Sequence, residues 1–175
     1  LPQPPPGFHV IYTGVGKVQA AVSLLKEIEK MRPVEVWNYG TAGGLNYTVQ
    51  GLVQVDNFVQ RDMIGEPLAP RGTIPFSTTN GIKTSQSNTQ VICGTGDSFV
   101  TKPDVWYVTN DIDIVDMEGW ALAYVCQQYK IPFRSWKYVS DYANRDAELD
   151  WTSNVQKGAE LFNNECKKEI PLFYD

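Results

Sequence analysis

Residues 112–129 read IDIVDMEGWALAYVCQQY. An alternating apolar run ends in Asp116-Met117-Glu118-Gly119, then turns directly into a segment of helical character, EGWALAYVCQQY (118–129). A strand that hands over at once to a helix is the building unit of layered α/β folds. It also sets two carboxylates beside a buried junction, where an unpaired carboxylate costs several kcal/mol. The gesture recurs downstream, where the strand-like FRSWKYVS (133–140) runs into Ser140-Asp141. Two such places need a reason.

Outward from this stretch, strand-like and helix-like pieces alternate. FHVIYT (8–13) reads as a strand and GVG as a turn. KVQAAVSLLKEIEKM (17–31) is an amphipathic helix with Val18, Ala21, Val22, Leu25 and Ile28 at three- and four-residue spacing, stopped ahead of Pro33. VEVWNYG (34–40) is a strand followed by a glycine-rich turn, TAGGLN. LVQVDNFVQRDM (52–63) alternates throughout and is expected as one strand; TQVICGTG (89–96) is another, and TSNVQKGAELFNNECKKEI (152–170) is a closing helix. The Pro- and Gly-rich loop at 64–81 is too long for a simple connector. The expectation is one α/β domain over 8–175, with a mixed, mostly parallel central sheet flanked by helices, after a Pro-rich tail at 1–7. Ligands collect at the carboxyl ends of such strands. Those ends carry Gly14-Val15-Gly16, Gly40 to Gly44, Gly94 to Asp97, Asp116 to Glu118 and Ser140-Asp141, all expected on one edge.

Composition narrows the class. The 175 residues carry 15 basic and 20 acidic side chains with no basic stripe, which argues against a nucleic-acid partner. Cys93, Cys126 and Cys166 lack metal spacing, so they read as reduced thiols, with packing roles for Cys126 and Cys166. His9 alone cannot form a two-His metal site, and no cofactor is indicated. No apolar run nears the ~20 residues that span a bilayer. LPQPPPG lacks the basic start and apolar centre of a signal peptide. A cytoplasmic protein without membrane contact is expected.

Phosphate-loop templates fail: GVGKVQ lacks the third glycine of the dinucleotide fingerprint and the spacing of the Walker loop. Taken singly, Glu118 could complement a helix dipole, Asp116 could cap a helix and Asp141 could open an Asx-turn.

Together, GVGKVQAA, NYGTAGGL, GTGDSFV, VDMEGWALAYVCQQYKIPF and VSDYA resemble, in content and order, the nucleoside phosphorylase superfamily. The likeness is greatest to its hydrolytic branch, the methylthioadenosine/S-adenosylhomocysteine nucleosidases and related purine nucleosidases. It runs from Gly14 to the C-terminal helix. The resemblance implies cleavage of a purine–ribose bond, with Asp141 as the acid at purine N7 and Ser140 orienting its carboxyl. It implies Glu118 on the ribose hydroxyls, Met117 beneath the ribose, Phe99 stacked on the purine and the Val100 backbone reading the base edge. Thr41 and the amides of Gly43 and Gly44 would face the nucleophile, and Lys137 stands where the nucleosidases carry an Arg near it. Asp116 is left structural, and Asp62 is either a purine-side or subunit-contact residue or a charged strand end. A homo-oligomer, first of all a homodimer, is implied.

In the nucleosidases an earlier strand carries a Glu that activates water. FHVIYTG matches a later family strand, so that Glu is not expected within these residues. A truncated sequence, a short form with another base, and a nucleoside-binding protein without turnover stay open. A phosphate-dependent phosphorylase is a further alternative.

Overall fold

A computed structural model describes residues 6–87, 89–102, 104–142 and 147–169. Its elements in chain order are α1 (Lys17–Met31), β1 (Val36–Gly44), β2 (Gly51–Gln54), β3 (Asn57–Gln60), β4 (Gly81–Lys83), β5 (Ile92–Thr95), α2 (Val105–Thr109), β6 (Ile114–Asp116), α3 (Gly119–Tyr129), β7 (Phe133–Asp141) and α4 (Ala147–Glu169). Seven strands form one sheet in the order β2-β7-β1-β6-β5-β3-β4. The ladders β1/β7, β3/β5 and β5/β6 are parallel and carry most of the paired residues, while β1/β6, β2/β7 and β3/β4 are antiparallel. The expected α/β class with a mixed, mostly parallel sheet stands.

The sheet is curled, and the chain itself requires it. β2 lies at one edge and β3 near the other, yet only Val55 and Asp56 separate them in sequence. The three backbone steps from Gln54 to Asn57 reach roughly 10 Å, so the two margins of the sheet must approach each other. Val55 donates to Ser135 O of β7 and Asp56 donates to Val91 O beside β5, both at 2.9 Å. Val55 and Phe58 are fully buried inside this curl. The single strand expected over 52–63 is therefore two strands. β3 buries alternate residues, whereas β2 is half-buried throughout and the buried positions slip from Val55 to Phe58 at the join, where the ladder partners change.

Three other expectations change. Residues 8–13 form no strand; they run along α1, with Ser23 Oγ donating to Thr13 O and the Phe8 ring edge-on to Trp37. The glycine run after β1 is not a turn, since β1 continues to Gly44. A Cβ on Gly44 would lie 2.9 Å from Val139 Cγ1 and 3.1 Å from the Tyr142 ring, so the glycines answer close packing. Helix α1 has the expected bounds but buries Ala20, Leu24 and Ile28, leaving Val18 and Val22 exposed. Short β4 and α2 were not anticipated.

The main core gathers α1 and α3 over the sheet around Phe58, Ile114, Trp120 and Phe133. Strand β7 alternates between layers: Phe133 and Val139 meet this core, whereas Trp136 packs with Phe162 and Cys166 of α4. Cys93, Cys126 and Cys166 are all buried free thiols. No described helix is long and apolar enough to cross a membrane. The first five residues of the Pro-rich tail, Ala143 of the Ser-Asp-x-Ala element and Ile170 of the expected last helix lie outside the described residues.

Candidate active site

Strand direction decides where the candidate residues meet. Because β6 is antiparallel to β1, the carboxyl ends of β3, β5 and β6 point against those of β1 and β7. The single-edge expectation is thus corrected: alternation of strands and helices does not encode direction. A stagger nevertheless brings the two sets of ends together. The β1/β6 overlap is confined to Gly43 opposite Val115 and Gly44 opposite Ile114. Gly43 also lies opposite Asp141, after a register shift that leaves an extra residue in β7. Asp141, Gly43 and Val115 therefore share one row, and two ladder steps of ~4.8 Å set Asp141 about 10 Å from Val115 in backbone terms.

Glu118 closes the β6–α3 junction as the residue before Gly119. It is half-buried, and its Oε1 accepts the Gly16 amide at 2.9 Å. The next amide, Lys17 N, donates to Asp97 Oδ1 at 2.8 Å. Both carboxylates thereby satisfy orphan donors at the start of α1, where the helix dipole favours negative charge. Gly16 adopts φ 90°, a left-handed conformation, and a Cβ there would stand 3.2 Å from Asp97 Oδ1. Around this loop a groove of about 310 Å³ is walled by Val15, Gly16, Val18, Asp97 and Met117, among others. Burial raises the Glu118 pKa, and the Lys137 charge and the Gly16 amide offset only part of that rise.

Behind Glu118 lies a buried ion pair. Lys137 Nζ stands 2.7 Å from Asp116 Oδ2, with both side chains almost wholly excluded from solvent. The Lys137 side chain passes β1 at Gly40, where a Cβ would sit 3.1 Å from Nζ. Asp116 also accepts the Thr95 hydroxyl at 2.6 Å and the Gly119 amide at 2.8 Å. Burial alone would raise Asp116, but the Lys137 ammonium and these hydrogen bonds hold it below the ordinary carboxylate range. Burial alone would lower Lys137, but Asp116 above all, with Cys93 and Glu118, outweighs it and raises the ammonium's pKa.

Asp141 is buried at the end of β7, and the Ser140 hydroxyl donates to its Oδ2 at 2.8 Å. Thr41, half-buried on β1, lies opposite Tyr138. Phe99 is 52% exposed on the loop after β5, whereas Val100 turns into a satellite core with Tyr107, Ile112 and Val115. That loop is tied from beneath: Arg61 donates to Gly96 O at 2.8 Å, to Ser98 O, and to Ser98 Oγ at 3.1 Å. Asp62 accepts the Asp97 amide at 2.9 Å and pairs with Lys17 at 2.6 Å. Asp62 is therefore a clamp between α1, β3 and the loop.

A sequence profile of the phosphorylase superfamily matches residues 8–169. The chain belongs to the phosphorylase superfamily. A 5′-methylthioadenosine/S-adenosylhomocysteine nucleosidase of Bacillus velezensis is 29% identical, the match covering 86% of this chain and 74% of the relative. The Helicobacter pylori 5′-methylthioadenosine/S-adenosylhomocysteine nucleosidase with butyl-thio-DADMe-Immucillin-A superposes with a TM-score of 0.83 at 25% identity, over 91% of this chain and 78% of that one. Native futalosine hydrolase of Helicobacter pylori superposes with a TM-score of 0.83 at 25% identity, over 91% and 77%.

The sequence placed Asp97 on the candidate edge without giving it a role, and it gave no sign of Arg61. Asp97 had a signal, a carboxylate inside the quoted GTGDSFV run. Arg61 had none, because its partners lie 35 and 37 residues away and nothing local announces them.

Proposed function

We propose that this protein hydrolyses the N-glycosidic bond of a purine nucleoside, of the methylthioadenosine, S-adenosylhomocysteine or adenosine kind, and releases the free base. A purine leaves poorly as an anion, and the ribose left behind takes on oxocarbenium character. Asp141 is the general acid that protonates the base at N7, held in orientation by Ser140; acid catalysis of this kind is worth about 10²–10⁴ in rate. Glu118 accepts hydrogen bonds from the ribose hydroxyls, which strengthen as positive charge grows on the sugar and so favour the transition state. Met117 packs beneath the ribose, Phe99 stacks on the purine and the Val100 backbone reads its edge. Thr41 and Gly43 face the attacking water.

One observation carries this reading. Asp141 is buried beside the Ser140 hydroxyl in a row shared with β6, the strand that delivers Glu118. The nucleosidase relatives support the substrate class. The test is chromatography of a purine nucleoside panel with and without phosphate. Free base and ribose formed without phosphate agree with hydrolysis; ribose 1-phosphate formed only with phosphate indicates a phosphorylase, and binding without turnover a nucleoside-binding protein.

A homodimer is part of the same proposal. Tyr12 and Val15, just ahead of α1, and Val18 in its first turn are 81%, 66% and 75% exposed, apolar surface that a second copy can cover. Light scattering coupled to size exclusion should give twice the chain mass, and a monomer would reject it.

A further inference from the structure

The network behind Glu118 has no contact assigned to it in the reaction above. The two oxygens of Asp116 take three donors from three elements: the Thr95 hydroxyl of β5, the Gly119 amide of α3 and the Lys137 ammonium of β7. Thr95 Oγ1 in turn accepts the Trp120 amide at 2.9 Å. Gly119 and Trp120 directly follow Glu118, and Asp116 precedes it by two. The backbone is thus tied on both sides of the sugar-binding carboxylate. Gly119 admits no other residue without disturbing this: a Cβ would lie 2.1 Å from Phe58 Cε1 and 2.7 Å from Asp116 Oδ2.

Fold stability is a poor account of such a pair. Desolvating two ions costs several kcal/mol each, and apolar replacements of a buried ion pair are often neutral or stabilising. We propose that Asp116 and Lys137 are positioning residues for Glu118: Asp116 fixes the turn that aims its carboxylate, and Lys137, paired with Asp116 at 2.7 Å, anchors that turn to β7 and brings a buried positive charge up behind it. Lys137, expected near the nucleophile, is instead buried against Asp116, and in this proposal both residues act through Glu118 and not on the substrate. Among the described residues, the charged groups acting on Glu118 are Lys137 from β7 and Asp116 from β6, alongside the Gly16 amide at the start of α1. The Lys137 attraction outweighs the Asp116 repulsion, so loss of the ammonium must favour protonation of Glu118. The inference rests on the sugar-binding reading of Glu118.

Three variants test it: Lys137→Met, Lys137→Arg, and the charge-free pair Asp116→Asn/Lys137→Met, which leaves no buried charge unpaired. Each is followed by thermal melting, by kcat and KM against pH, and by ¹³C-NMR titration of the Glu118 carboxyl. Lys137→Met should move the acid limb of kcat/KM and the Glu118 midpoint to higher pH, and Lys137→Arg should restore both toward wild type. The folded double variant should lose tenfold or more in kcat/KM, chiefly in kcat. Wild-type kcat in the folded double variant, or a Glu118 midpoint unmoved in Lys137→Met, would overturn the proposal. If the wild-type protein cleaves no nucleoside, the hydrolase reading fails by itself, while the NMR titration still judges the positioning role.

Discussion

Glu118 and Asp141 are both carboxylates at strand ends, yet their surroundings divide the work between them. Glu118 accepts the Gly16 amide and lies in the field of a buried ammonium, and both offset part of the rise that burial gives its pKa. Asp141 takes a neutral hydroxyl from Ser140 and is buried beside it. Two carboxylates with different hydrogen-bond partners can take different parts in one reaction. Glu118→Gln should lower kcat/KM by about 10- to 100-fold, mostly in kcat, because charge-assisted hydrogen bonds of ~1.5–3 kcal/mol are lost in the transition state. Steady-state kinetics checks this, and a change confined to KM would assign Glu118 to ground-state binding. The residue types were legible: Met117-Glu118 and Ser140-Asp141 stood out because carboxylates at buried junctions demand partners. The partners were not legible, since Gly16 lies 102 positions from Glu118.

Among the elements, α1 and α3 were readable because helical periodicity and a stop signal are local properties. The split of β2 from β3 was not, because sheet order is set by distant strands. Glycine misled in β1, where it relieves crowding against Val139 and Lys137, and informed at Gly16, where φ is positive. The β6–α3 junction offers the sharpest element-scale prediction. Gly119→Ala forces a methyl into the Phe58 ring and the Asp116 carboxylate, and overpacking of this sort costs about 1–3 kcal/mol. The melting temperature should fall by several degrees, with activity lost through the displaced Glu118. An unchanged melt would mean that the junction relaxes freely.

For the whole molecule, the curled sheet turns opposed strand directions into one site by overlapping the ends of β1, β6 and β7. The buried pair at its centre also links stability to pH. Asp116 is depressed in the folded state, so its contribution is complete above the ordinary aspartate range and is lost as pH falls through the depressed folded value. Lys137 is raised, so its contribution is complete below the ordinary lysine range and is lost as pH rises through the raised value. Thermal melts should therefore decline at both acid and alkaline extremes, and Asp116→Asn/Lys137→Met should flatten both limbs. Equal declines in that variant would attribute the pH dependence to other groups. The central claim, proton donation from Asp141 to the departing base, is tested most directly by comparing wild type and Asp141→Asn on two leaving groups. With a purine nucleoside, the variant should be about 10²–10⁴-fold slower. With p-nitrophenyl riboside, whose leaving group needs no proton, most of that deficit should vanish. An equal deficit on both substrates, or none on the purine nucleoside, would contradict the account.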